Sequence, residues 1–210
     1  GVPGAHPDDW HGLAELSTAA PVTPPGSEVV LSPSQIESLL ACPLRAALER
    51  HGARDAPGQV QLIGIAVHAL AQGISDGASE ADLDAATDEF LAAQDRLPPW
   101  EVARMRRLLE AMRGALRSWL HQEGARRTFV ASEQAMQVRL PEGSAGHPED
   151  GPVRLVGRAD HLSMDEAGRM VVTDFKSGST IPTRAAVVDH AQLAAYQVGV
   201  ALGGFDPTAD

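Results

Sequence analysis

Apolar positions keep one spacing through the first part of this chain and a different one after Gly124. The longest regular stretch is Val102, Met105, Leu109, Met112, Leu116 and Trp119, spaced by three and four, which predicts a helix over about 99–122. An earlier helix should open at Ser32-Pro33-Ser34-Gln35. Ser32 can cap it, Pro33 suits the first helical position and Gln35 completes a capping box. It runs through Ile36, Leu39 and Leu40 to Cys42, Pro43 breaks or kinks it, and residues 44–51 continue as helix up to Gly52. Two more helices are expected over roughly 59–73 and 79–93, the second acidic.

Beyond Gly124, residues 128–140, 153–163 and 169–176 are rich in Val, Leu and Met and read as strands. The turn Asp165-Glu166-Ala167-Gly168 makes the last two an antiparallel hairpin, and a final helix over about 185–202 should stop at Gly203-Gly204. Residues 1–29, rich in Pro and Gly without a sustained period, read as a linker or extended arm. The prediction is a mixed α/β (α+β) domain over 30–210, helical to about 124 and with its sheet core over about 128–202.

The 210 residues can bury a sizeable core, and 43% apolar with 21% charged residues is ordinary for a globular protein. No apolar run approaches the ~18 residues of a membrane span. One cysteine, Cys42, excludes an internal disulfide framework and fits a reducing compartment, so the expected location is cytoplasmic. The net charge of -11 argues against nucleic acid at first, but it is uneven. Residues 1–98 carry 14 acids and 4 bases (4 − 14 = -10), and residues 99–210 carry 14 acids and 13 bases (13 − 14 = -1). Phosphate affinity follows local charge, so the second half remains open to it.

Folding the hairpin about its turn brings Asp160 opposite Asp174 to within one residue. Paired strand residues have Cβ atoms ~5 Å apart, so two carboxylates on one face would repel, and a divalent cation relieves that. Lys176, the chain's one lysine, falls on the same strand face as Asp174. Two oxygen donors beside an ammonium suit phosphodiester hydrolysis; the bland alternative is a surface hairpin with an ordinary Asp–Lys pair. His68, alone on the apolar stretch Ile63–Leu70, reads by itself as a hydrogen-bonded core residue. Glu133 could point from the first strand toward the same place, more as a support than as a ligand. Arg106, Arg113 and Arg117 flank the apolar stripe of the long helix, either as a solvated face or along a nucleic-acid backbone.

Gly64-x-x-x-His68, Gly157-Arg158-Ala159-Asp160, Asp174-Phe175-Lys176-Ser177-Gly178 and Gln192-x-x-x-Tyr196, in this order, resemble the motifs of the RecB-like branch of the PD-(D/E)XK nucleases. Ser32-Pro33-Ser34-Gln35 with Cys42-Pro43-Leu44 resembles the helix opening the nuclease domain of AddAB- and AdnAB-type helicase–nucleases. The resemblance covers about residues 30–202 and implies a restriction-endonuclease-like core and Mg²⁺- or Mn²⁺-dependent cleavage of DNA. It implies His68, Asp160, Asp174 and the carbonyl of Phe175 as metal ligands, and Lys176 as the group holding the attacking water. It also implies Gln192 and Tyr196, the one tyrosine, as DNA contacts. An imidazole among oxygen donors favours Mn²⁺ more than an all-oxygen site does. The implied partners are a DNA strand and a helicase motor domain or subunit, in double-strand-break processing. The alternative is a non-hydrolytic strand guide or scaffold of the same fold.

Two departures accompany the resemblance. Some relatives hold an iron–sulfur cluster with one Cys before these motifs and three after; Cys42 has no companion, so no cluster is expected and Cys42 should be a buried, small apolar residue. The family sheet also gains a strand after the Tyr196 helix, for which Gly203–Asp210 is short and poor in β-formers. The expectation is a piece of a longer polypeptide with an exposed sheet edge, a route to self-association.

Overall fold

A computed structural model describes residues 20, 23–53, 58–95, 97–143, 151–178, 180 and 182–205; most of the expected arm lies outside them. Helix α1 (Pro33–Ala41) opens on the predicted box: Ser32 Oγ accepts from the Gln35 N–H and the Ser32 N–H donates to Gln35 Oε1 at 2.8 Å. Extended backbone at Cys42 separates it from α2 (Pro43–Arg50). Cys42 is exposed rather than buried, because it sits at the corner between two helices where neither presents it to a core.

Helices α3 (Gln59–Ser75), α4 (Glu80–Ala92) and α5 (Pro99–Gly124) share a core in which Val67, Leu70, Leu83, Met105 and Leu109 are almost fully enclosed. Arg106, Arg113 and Arg117 are ion-paired with Asp88, Asp84 and Glu80 of α4. The arginine flank of α5 is therefore matched to the acidic face of α4, which answers the choice the sequence left open.

The sheet is mixed and centred on β3 (Val153–Met164). Strand β2 (Thr128–Arg139) runs antiparallel along one side of it. On the other side β1 (Val29–Leu31) pairs in parallel, Val29 opposite Val153, and β4 (Met170–Thr173) pairs antiparallel, His161 opposite Thr173. Strand β1 begins at the end of the expected arm; three residues are too few to show a period. Strand β4 stops three residues short of its predicted end, because the Phe175 N–H donates to Asp160 Oδ2 at 2.6 Å and leaves the ladder. The predicted last helix is two: α6 (Arg184–Val188), capped by Thr183, and α7 (Ala191–Ala201), with Asp189 and the extended His190 between them. After α7, Phe205 bridges antiparallel to Met136 and Gly204 accepts from the Gln137 N–H, so the β2 edge is partly covered there.

A second core lies between the sheet and α7, with Met136, Leu155, Ala159, Leu162 and Tyr196 buried in it. Along β3 its members are odd-numbered up to Ala159 and even-numbered at Leu162, while His161 and Ser163 turn to α3 and α5. Side-chain alternation thus slips by one at Asp160–His161, at the seam of the two cores. Among the described residues no helix is long and apolar enough to cross a membrane.

Gly199 marks the tightest seat of α7: a Cβ there would lie 2.1 Å from Met136 Sδ. Gly199→Ala should therefore destabilise by about 1–3 kcal/mol through overpacking. Gly114, exposed in mid-α5 with open space around it, should instead give about 0.5–1 kcal/mol of added stability as Gly114→Ala. Urea midpoints of the two variants, moving in opposite directions, check this.

Candidate active site

One stripe of α3 faces the site. Gly64, His68, Ala71 and Ser75 follow at intervals of four, three and four, and therefore line one side of the helix. A Cβ at Gly64 would come to 3.3 Å from Ser177 Oγ, so this glycine admits the loop behind Lys176 rather than the sheet. One turn on, His68 Nδ1 lies 3.1 Å from Asp160 Oδ1. The other Asp160 oxygen accepts from the Phe175 N–H. Asp160 thus joins the helical core to the exit of β4.

Glu133 stands opposite Asp160, between the pairs Ser132–His161 and Gln134–Ala159, and has φ +47°. A left-handed backbone at a non-glycine residue costs of order 1–3 kcal/mol and marks a place where surrounding structure holds it for a reason. Here His68, Glu133 and Asp160 each offer a ligand atom within 4.8 Å of the others. The sequence ranked Glu133 as a support. Its one signal was an acid inside a Val- and Met-rich strand, and only the register reveals what it faces. The Arg158 guanidinium, 3.9 Å from Glu133 and 66% exposed, lies at the mouth.

Asp174 has only 7% of its side chain exposed and is fully engaged: Oδ2 accepts from Lys176 Nζ at 2.7 Å and Oδ1 from Gln192 Nε2 at 2.9 Å. Gln192 Oε1 in turn accepts from Lys176 Nζ at 2.7 Å. The Tyr196 hydroxyl donates to the Arg158 carbonyl at 2.7 Å, and both Gln192 and Tyr196 are buried. The predicted residues fall into two contact groups, His68–Asp160–Phe175 and Asp174–Lys176–Gln192, and Glu133 rather than Asp174 joins His68 and Asp160 as a third possible ligand within 4.8 Å. Their contacts are specific: Phe175 meets the cluster through its N–H, and Gln192 and Tyr196 brace β3 and the β4 exit from within.

Hydrogen bonding, burial and neighbouring charges between them raise the proton affinity of the cluster. The hydrogen bond to Asp160 holds the His68 imidazolium above its ordinary range, against burial and helped by the fields of Asp160, Glu133 and Asp174. Burial, with Asp160 close by, pushes Glu133 up. Burial pushes Asp174 up as well, with Lys176 opposing it. Tyr196 is pushed up to about 12 by burial and the neighbouring carboxylates. One imidazole and two carboxylates, buried or half-buried, fit a hard to borderline divalent ion such as Mg²⁺ or Mn²⁺.

The pH dependence follows in sign. His68, Glu133 and Asp174 all have raised proton affinity in the fold, so each favours the folded state at low pH and loses that contribution as pH rises. A bound divalent ion replaces those protons. The increase in Tm on adding Mn²⁺ should therefore be larger at about pH 8 than at about pH 5.5, and Glu133→Gln or Asp160→Asn should flatten the difference. Differential scanning calorimetry measures both.

A sequence model of the PD-(D/E)XK nuclease superfamily matches residues 30–210. No curated protein matches the chain. The match spans every motif residue placed above, and the mixed sheet flanked by helices agrees with a restriction-endonuclease-like fold. This chain belongs to the PD-(D/E)XK nuclease superfamily.

Proposed function

We propose that the protein is a divalent-metal-dependent deoxyribonuclease, and that it serves as the nuclease module of a cytoplasmic helicase–nuclease in double-strand-break processing. The observation that carries the cleavage reading is the convergence of His68, Glu133 and Asp160 within 4.8 Å beside the Asp174–Lys176 pair. The motor, the pathway and the compartment rest on the ordered sequence motifs and on the reducing-compartment composition.

A divalent ion held by His68, Asp160 and Glu133 or Asp174 would supply Lewis-acid stabilisation of phosphoryl charge and a more acidic water. The protein's own groups do the rest. An ammonium has three N–H donors, and two of those on Lys176 are taken by Asp174 and Gln192. The third has neither of these partners and, with 59% of the side chain exposed, can hold the attacking water or a phosphoryl oxygen. Asp160, fixed from both sides, keeps its oxygens in one orientation. Tyr196 fixes the Arg158 backbone two residues earlier on the same strand.

Lys176→Ala and Asp174→Asn should each lower Mg²⁺- or Mn²⁺-dependent cleavage of single-stranded DNA by roughly 100-fold or more. Cleavage that survives both changes rejects the assignment. DNA binding by the wild-type protein with no metal-dependent cleavage at all supports the strand-guide alternative instead. Because buried Gln192 bonds both Lys176 and Asp174 and so orients the pair, Gln192→Ala should lower turnover roughly 10- to 100-fold while DNA affinity stays the same. Steady-state kinetics alongside anisotropy binding separates the two quantities.

A further inference from the structure

Two turns beyond His68 on the same stripe of α3, Ser75 opens onto a cavity of about 200 Å³ that the cleavage site does not use. Seven residues at about 1.5 Å each place its mouth roughly 10 Å along the helix from His68. Ser75, Glu123, Arg127, Phe129, His161 and Ser163 line it together with aliphatic side chains. Ser163 is 2% exposed and its Oγ makes no hydrogen bond to another protein group, which places a donor and acceptor beside the cavity.

The remaining walls define what fits. Glu123 is ion-paired with Arg127, so the cavity carries no free charge to draw in a phosphate. His161 and Ser75 add polar edges, with Ser75 Oγ 3.4 Å from His161 Nδ1. Phe129 is 43% exposed at the rim, its ring 5.2 Å from that of His161 and tilted by 35°. A neutral, flat group with hydrogen-bonding edges matches an aromatic rim, a paired charge and an orphan hydroxyl.

We propose that this cavity is a subsite for one unstacked base of the bound strand, beside the Phe129 ring and hydrogen-bonded to Ser163. The inference rests on the strand-cleaving reading above and assigns that reading a place where the strand is gripped away from the reacting phosphate. A base that leaves the stack to enter it fixes the register of the strand over His68 and Asp160.

The test walks a single abasic residue along a fluorescein-labelled single-stranded oligonucleotide and measures binding to the whole protein by anisotropy, with Ca²⁺ replacing Mg²⁺. One position should weaken binding by about 5- to 50-fold, the range of a lost base–aromatic stack. That dip should shrink in Phe129→Ala, whose rim position tolerates truncation, and in Ser163→Ala, which removes only the orphan hydroxyl. A wild-type profile that is flat, or a dip that keeps its full size in both variants, overturns the proposal. Should Ser163→Ala fail to fold, Phe129→Ala decides alone. Mg²⁺-dependent cleavage of the intact oligonucleotide is followed in parallel: cleavage with a flat profile defeats the base subsite only. Neither cleavage nor binding defeats the nuclease reading, and the subsite with it.

Discussion

The Asp160 carboxylate, buried and held from two directions, is the interaction on which the site depends. From one side the imidazole of His68 brings α3, and with it the helical core, against the sheet. From the other the Phe175 N–H leaves its strand ladder to bond the same carboxylate, which ends β4 and frees Asp174 and Lys176 to turn toward α7. A buried carboxylate with such partners is orientationally fixed, and ligand geometry at a metal requires that. Remove it and three elements lose their shared anchor.

The site lies where the two hydrophobic cores meet. There the alternation of β3 slips, Glu133 adopts a left-handed backbone, and burial raises the proton affinity of Glu133 and Asp174. Each is a local cost, and all converge on one volume. Strain and unfavourable charge gathered at a seam, rather than spread through the fold, fit a site organised for a cation. Gln192 and Tyr196 complete this from α7: the amide bonds both members of the Asp174–Lys176 pair and the phenol ties down the strand preceding Asp160.

The nearly neutral second half of the chain acquires a clearer meaning in three dimensions. Arg106, Arg113 and Arg117 of α5 are consumed by α4, so these three add little free positive charge to the surface. Cationic groups facing outward at the site are Lys176 and Arg158, both on the β3–β4 side. A strand approaching an acidic protein would be drawn to this local feature, the field of a cleft counting more than the total charge.

Local chemistry was legible from residues alone. The Ser32–Gln35 capping box, the apolar stripe of α5 and the β3–β4 hairpin depend on neighbours within a few positions, and they formed as the sequence implied. The same reach explains why Asp160, Asp174 and Lys176 could be singled out from the hairpin, whereas His68 stood out only through the order of the motifs. What the sequence did not contain was burial and the register between strands distant in sequence, because these are set by residues far apart in the chain. The pairing of Val29 with β3, the break at Asp189–His190, the exposure of Cys42 and the inward turn of Gln192 all follow from how the two cores pack. Glu133 shows the limit most clearly: its place opposite Asp160 exists only once β2 and β3 have paired, with the irregularity near residues 129–131 fixing which residue faces which.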